Sequence, residues 1–143
     1  MVNERITEDI VRTHFKNDGM FRSIKFEEQR TKNKIIKQLL KVASKKKTGK
    51  SGFPEFIITF PSIMDSAILI ECKPEIGCHR SKDEEEANPE KYAVDGVLHY
   101  AKYLCNDFNV IAVGVSGENE NELIVSNFFI KKGTDEINER LGE

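Results

Sequence analysis

The chain lacks several features that would assign it to a specialised class of protein. No stretch holds about 18 consecutive apolar residues, the length that a transmembrane helix needs. The start, MVNERITEDIVRTHF, is charged throughout and predicts no secretory signal. The three cysteines, Cys72, Cys78 and Cys105, match no metal-site spacing, so we expect free thiols in a reducing cytoplasm. No internal repeat or low-complexity linker interrupts the 143 residues, which fit one domain.

Acidic residues are absent from one segment, between Gln29 and Pro54, which holds nine lysines and arginines together. The whole chain has a net charge of only −2, so this basic character is local. Such a segment either binds a polyanion or forms a solvated helix face and loop, and both interpretations stay open at this point. No segment has the arginine, asparagine and glutamine content of a base-reading helix, so sequence recognition is expected in another domain.

The hydrophobic pattern predicts the order helix, helix, strand, strand, helix, strand, strand. The predicted helices are 7–15, 31–44 and 89–105, the predicted strands are 53–60, 66–73, 110–115 and 122–130, and a short helix is possible near 134–141. The polar segment 77–88 is expected to be a mobile loop. The helix between the second and third strands predicts a parallel crossover. The predicted fold class is therefore α/β (α+β), with a mixed four-stranded sheet flanked by helices.

The stretch ILIECKPE ends an apolar strand with a carboxylate and an ammonium group on one face. Because side chains alternate along a strand, Glu71 and Lys73 point the same way and Cys72 points into the core. If the first two strands are antiparallel, Glu55 lies beside Glu71, with Lys73 adjacent. Two neighbouring carboxylates repel unless a cation lies between them, and oxygen ligands suit Mg²⁺ or Mn²⁺. We therefore predict a metal site here, at which Lys73 orients a water or stabilises developing charge.

These residues also carry a resemblance to a known superfamily. Pro54-Glu55 and, after fifteen intervening residues, Glu71-Cys72-Lys73 resemble the PD-(D/E)xK nuclease pattern. The wider runs SKKKTGKSGFPEFII, ILIECKPE and YAVDGVLHYAKYL resemble the N-terminal nuclease domains of bacterial restriction enzymes, in which a nuclease is joined to a DNA methyltransferase or helicase. The resemblance covers roughly residues 4 to 130.

The resemblance implies a restriction-endonuclease-like core and a cytoplasmic, Mg²⁺-dependent deoxyribonuclease of a type I or type II-like restriction system, with Mn²⁺ as a substitute. It implies that residues 1–143 form a single nuclease domain, the N-terminal part of a larger protein. Double-stranded DNA is then the expected substrate. Methyltransferase, helicase or specificity domains or subunits are the expected partners, with a homodimer for double-strand cleavage and no membrane.

The resemblance assigns roles to individual residues around the predicted metal. Glu55 and Glu71 would be metal ligands and Lys73 the catalytic lysine. The backbone carbonyl of Cys72 and the carboxylate of Glu8, on the first helix, would add further oxygens. Each assignment has a structural alternative: a helix-dipole residue for Glu8, a surface acid for Glu55, and a surface ion pair between Glu71 and Lys73.

Two further groups are assigned auxiliary roles. His99 and Tyr103 lie four residues apart on one helix face, where relatives often carry a glutamine and a tyrosine, but a packed histidine and a core-edge aromatic are the alternatives. Four lysines that precede Pro54-Glu55 are predicted to contact DNA phosphates: Lys45, Lys46, Lys47 and Lys50.

Three other functions are compatible with the same residues. A nuclease-like fold can bind nucleic acid without cutting it, and metal-dependent cleavage would separate this possibility from a nuclease. A repair or recombination nuclease would use the same chemistry. A protein-interaction domain would dock its basic segment on an acidic partner and lose nucleic-acid binding at modest salt.

Overall fold

The computed structural model describes residues 5–18, 23–46 and 48–140. Within these ranges three α-helices and six β-strands occur: α1 (Arg5–Asn17), β1 (Lys25–Glu28), α2 (Lys34–Leu39), β2 (Phe56–Phe60), β3 (Ile63–Lys73), α3 (Ala93–Leu104), β4 (Asn109–Ser116), β5 (Ile124–Ile130) and β6 (Ile137–Arg140). A 3₁₀ turn, Leu40–Val42, continues α2. None of the described helices combines the length and the apolar character needed to cross a bilayer.

The six strands form one mixed sheet in chain order, from β1 to β6. Strands β3 and β4 are parallel, and every other neighbouring pair is antiparallel. The α3 helix connects the two parallel strands, as the crossover prediction required. The predicted mixed sheet flanked by helices is confirmed. The predicted number of four strands is wrong, because the sheet contains six.

The two missed strands lie at the edges of the sheet. Strand β1 has the sequence KFEE and pairs with β2, while β6 has the sequence INER and pairs with β5. The short helix expected near 134–141 is therefore wrong over the β6 residues. Both segments are mostly polar and four residues long, so they show no alternating pattern. Their strand conformation comes from backbone pairing with a neighbour rather than from local propensity.

Alternation along β3 divides its side chains between two apolar clusters. Ala67 and Leu69 pack in the cluster beneath α2 and α3. Ile70 and Cys72 pack on the opposite face of the sheet, beneath Val11 of α1. The prediction that Cys72 points into the core is confirmed, and its thiol is free.

Polar side chains set the helix boundaries differently from the sequence prediction. Thr7 lies inside α1, and its hydroxyl donates to the carbonyl of Gly117 at 2.6 Å instead of capping the helix. Asn33 caps α2, because its side chain accepts from the amides of the first turn. The Asn88 side chain and carbonyl accept the amides that follow Pro89, so α3 begins at Ala93 and not at Pro89.

The polar segment 77–88, expected to be a mobile loop, is anchored to the sheet and to α3. His79 is buried, and its two ring nitrogens lie 2.8 Å from the hydroxyl oxygens of Ser116 and Ser126. The carboxylate of Asp95 accepts the backbone amide of Asn88 at 2.8 Å. These bonds hold the segment over the C-terminal end of β4.

Candidate functional site

The pairing of β2 with β3 places Glu55 next to Glu71. Phe56 pairs with Ile70 in antiparallel register. Glu55, which precedes Phe56, therefore lies opposite Glu71, which follows Ile70. The backbone amide of Glu55 donates to Oε1 of Glu71 at 2.8 Å. Glu55 is partly buried, whereas only 2% of the Glu71 side chain is exposed. The backbone of Glu55 therefore lies against the Glu71 carboxylate, and the charge of the Glu55 side chain is close enough to influence it.

The second oxygen of Glu71 is paired with a lysine. Lys45 Nζ lies 2.9 Å from Glu71 Oε2, and its side chain is 20% exposed. Burial raises the pKa of Glu71, the Lys45 ammonium opposes this rise, and the charge of Glu55 adds to it. The pKa of Tyr100 is also raised, by burial and then by the charges of Glu71 and Glu55. The sequence prediction placed Lys45 on DNA, but the structure places it on the buried carboxylate.

Glu8 and Gln29 surround the other carboxylate, Glu55. Burial first, and then the charge of Glu55, raise the pKa of Glu8 to about 7, and the two side chains are hydrogen-bonded. Gln29 Nε2 donates to Glu55 Oε2 at 2.7 Å. Gln29 has a φ of 54°, an uncommon left-handed conformation for a residue other than glycine. Sequence reasoning missed Gln29, because neither the conformation nor the contact leaves a local pattern.

The donor set fits a hard divalent cation, although it is not a complete cage. Across residues 5–18, 23–46 and 48–140, no three His, Cys, Asp or Glu side chains are grouped to hold a metal ion. Mg²⁺ is usually bound through one or two carboxylates, with waters and substrate phosphates completing its shell. Glu55 and Glu71, which lie side by side on paired strands, would supply the one or two carboxylates of such a site. The buried Glu71 already has a cation, Lys45, as its partner.

The further ligand predicted at Cys72 depends on its backbone alone. The Cys72 thiol points away from Glu71 into the apolar cluster under α1, and burial raises its pKa far above the ordinary range. A thiolate ligand is thereby disfavoured. The role of the Cys72 carbonyl remains a prediction.

Lys73 lies on the strand that carries Glu71, two residues further along. Its ammonium donates to the backbone carbonyl of Glu90 at 2.7 Å. This bond ties the C-terminal end of β3 to the segment before α3. The catalytic role assigned to Lys73 remains a prediction, and the bond to this carbonyl leaves the ammonium further donors for a water or a phosphate.

His99 and Tyr103 share one face of α3, and their ring centroids are 5.5 Å apart. His99 Nε2 donates to the carbonyl of Ala43 at 2.7 Å. This contact supports the chain two residues before Lys45. The auxiliary roles of His99 and Tyr103 toward DNA remain predictions.

The remaining basic residues lie on the loop after α2. Lys46 and Lys50 are exposed, and Lys47 lies outside the described residues. A Cβ on Gly52 would lie 2.8 Å from the carbonyl oxygen of Ala43, so this glycine is needed for packing at the base of the loop.

Gly96 is a second residue that sequence reasoning missed. A Cβ at this position of α3 would lie 2.8 Å from the Pro89 carbonyl oxygen and 3.1 Å from Glu71 Oε2. Glycine inside a helix costs about 1 kcal/mol relative to alanine, so its presence in an otherwise regular helical pattern indicates a packing or functional constraint at that position. The structure gives the reason: α3 must pass close to the buried carboxylate.

Gly96→Ala is expected to destabilise the protein and to displace Glu71. Overpacking costs about 1–3 kcal/mol, and the gain in helix propensity offsets about 1 kcal/mol of it. The free energy of unfolding, from urea titration, should fall by up to about 2 kcal/mol. Gly77→Ala is the matched control, because a Cβ on Gly77 meets no atom within 4 Å. Equal stability of the two variants would contradict the close approach.

Glu8→Gln is expected to stabilise the protein above pH 7 and to have little effect below pH 4.5. The folded pKa of Glu8 is raised to about 7 from an ordinary value of 4.5, so folding favours its protonated form. Its contribution to stability is full below pH 4.5 and is lost as the pH rises toward 7. In thermal melts, Glu8→Gln and the unsubstituted protein should have similar melting temperatures at pH 4.5. At pH 8 the melting temperature of the variant should be a few degrees higher. A gain of equal size at both pH values would contradict this account.

An apolar groove of about 800 Å³ lies on the opposite face of the sheet, between α1 and aliphatic side chains of β3, β4 and β5. The site carboxylate Glu71 faces the other way, toward α3. The groove is therefore separate from the candidate site.

Comparison with known proteins gives one informative similarity. The chain is 35% identical over 130 residues to the type II restriction enzyme and methyltransferase RM.BcgI of Heyndrickxia coagulans. The match covers 82% of this chain and 19% of that protein, so the chain spans about a fifth of its relative's length. No model of a known protein family matches the chain, and no solved structure matches it. Membership of the PD-(D/E)xK superfamily remains a prediction.

Proposed function

We propose that this chain is the nuclease domain of a bacterial restriction system and hydrolyses DNA phosphodiesters with Mg²⁺, or with Mn²⁺ as a substitute. The observation that carries the proposal is the contact of Glu55 with Glu71 at the ends of two paired strands. The similarity to a restriction enzyme and methyltransferase fusion supports the restriction-system role. Methyltransferase and specificity domains, duplex DNA and a second copy of the chain are the proposed partners.

Each site residue has its own role in the proposed hydrolysis. Glu55 and Glu71 would hold the cation, which when bound would polarise a phosphate oxygen and lower the pKa of a water. Glu8 and Gln29 fix the orientation of Glu55 by hydrogen bonds. Lys73, whose ammonium can donate to further acceptors besides the Glu90 carbonyl, orients the attacking water or stabilises the negative charge that develops on the phosphoryl oxygens.

A non-cutting DNA-binding module is the second candidate. Two contacts favour it: Lys45 occupies one oxygen of Glu71, and Lys73 is bonded to the Glu90 carbonyl. In such a module the carboxylates would serve stability alone. Exposed basic residues such as Lys46 and Lys50 would then bind the DNA phosphates.

Cleavage of supercoiled plasmid DNA tests the proposal directly. The chain is incubated with Mg²⁺, with Mn²⁺ and with EDTA, and nicked and linear products are quantified. We expect products with either metal and none with EDTA. If no product forms, calorimetric titration with Mn²⁺ decides between the candidates: binding that is lost in Glu55→Gln supports a nuclease that needs its partner domains, and no binding supports the non-cutting module.

A further inference from the structure

The ammonium of Lys45 already occupies the Glu71 oxygen that a metal would use. Its Oε1 accepts the backbone amide of Glu55, and its Oε2 accepts the ammonium of Lys45. On the remaining side α3 closes in, because a Cβ on Gly96 would lie 3.1 Å from Oε2. With 2% of its side chain exposed, Glu71 has little access to water. A metal ion that binds at Oε2 therefore has to displace the Lys45 ammonium or share the oxygen with a like charge.

A cation at this position stabilises the ionised form of Glu71 even when no metal is bound. A buried carboxylate that loses its partner is strongly destabilising. Lys45 supplies the positively charged partner of Glu71 in the free protein. The Lys45 Nζ also lies 5.8 Å from the ring centroid of Tyr100. The pair therefore keeps Glu71 in place while blocking its free oxygen.

Hydrogen bonds hold the backbone just before Lys45, and the Lys45 side chain lies at the boundary with solvent. His99 holds the Ala43 carbonyl, and the Ser44 amide donates to the Lys50 carbonyl at 3.1 Å. The Lys45 side chain is 20% exposed, and the neighbouring Lys46 is exposed. A long lysine side chain anchored in this way can turn from a buried carboxylate to a phosphate at the loop without movement of the main chain.

We propose that Lys45 holds the cation position at Glu71 until duplex DNA draws its ammonium onto a phosphate, so that DNA and a divalent metal bind cooperatively. The inference rests on the proposed function, since it takes Glu71 as a metal ligand. Phosphates attract lysine ammonium groups, and the freed carboxylate then attracts the metal ion. By linkage, the metal raises the affinity for DNA by the same factor as DNA raises the affinity for the metal.

Calorimetry with Mn²⁺, in the presence and absence of a saturating short DNA duplex, measures this coupling. All proteins carry Lys73→Met to slow cleavage during the titration. We expect the duplex to tighten Mn²⁺ binding about fivefold or more when Lys45 is present. In Lys45→Met the coupling should fall sharply. Lys50→Met, which removes the same charge from the same loop, should keep it, because Lys50 is exposed and lies outside the Glu71 pair.

The outcomes separate this inference from the proposed function. Equal coupling in Lys45→Met and Lys50→Met would overturn the role of Lys45 while leaving a metal-dependent nuclease intact. Absence of Mn²⁺ binding in every protein would instead contradict the proposed function.

A second measurement avoids substitution of Lys45, which supports the buried Glu71. In the full chain labelled with ¹⁵N-lysine, the ammonium signal of Lys45 should shift when the duplex is added without metal. The signals of Lys46 and Lys50 report whether DNA has bound. Shifts at those two lysines with an unchanged Lys45 signal would overturn the exchange.

Discussion

Glu71→Gln should abolish both Mn²⁺ binding and DNA cleavage. The substitution keeps the shape of the side chain and an oxygen that can accept the Glu55 amide. It removes the charge that holds the cation, and the new amide group turns donors toward the Lys45 ammonium, which is itself only a donor. A metal contributes several kcal/mol to catalysis, which corresponds to a loss of at least about 10³-fold in the cleavage rate.

Plasmid cleavage and Mn²⁺ calorimetry check this result side by side. Glu84→Gln is the control, because it removes the same charge from an exposed residue of the 77–88 segment. Circular dichroism melts establish that the Glu71→Gln protein is folded. Breaking a fully buried ion pair costs about 3–5 kcal/mol, but Lys45 is 20% exposed and can turn to water, so we expect a smaller loss. Mn²⁺ affinity equal to that of the unsubstituted chain would remove Glu71 from the metal site.

Lys73→Met should slow DNA cleavage by about 10²–10³-fold and leave Mn²⁺ affinity nearly unchanged. The methionine side chain has a similar length and no charge, so it cannot orient the water or stabilise the phosphoryl oxygens. The metal ligands Glu55 and Glu71 remain. A slower cleavage rate with unchanged Mn²⁺ affinity distinguishes a residue that acts on the reaction from one that holds the cation.

The hydrogen bond from Lys73 to the Glu90 carbonyl provides the competing explanation. If Lys73 is only a tether between β3 and the segment before α3, Lys73→Met lowers the melting temperature and leaves the cleavage rate of the folded protein unchanged. Lys82→Met, at an exposed position, controls for the loss of one positive charge. Single-turnover rates measured well below both melting temperatures decide between the two roles.

The contact between Glu55 and Glu71 was predictable because it depends on short-range rules. Alternation along a strand places Glu71 on the opposite face from Cys72, and antiparallel pairing brings the start of one strand to the end of the next. Both rules act within about twenty residues of chain. The same local periodicity predicted α1, α3 and the four long strands, as well as the parallel crossover.

The surroundings of these carboxylates were not predictable, because they depend on segments far apart in the chain. Lys45 reaches Glu71 across 26 residues, and Gln29 reaches Glu55 across the same separation. Neither residue is marked by a periodic pattern, and lysines that look equivalent in the sequence differ in the structure: Lys45 is paired inside the site, whereas Lys46 and Lys50 are exposed.

The sequence alone therefore determined the kinds of elements, the mixed sheet and the position of Glu55 beside Glu71, since these follow from side-chain period and chain direction. Tertiary structure decided the edge strands β1 and β6, the start of α3, and the burial of Glu71 between Lys45 and Gly96. The physical reason is that edge pairing and a buried charge pair depend on which distant segments pack together. Packing of that kind is a property of the whole chain and has no local period.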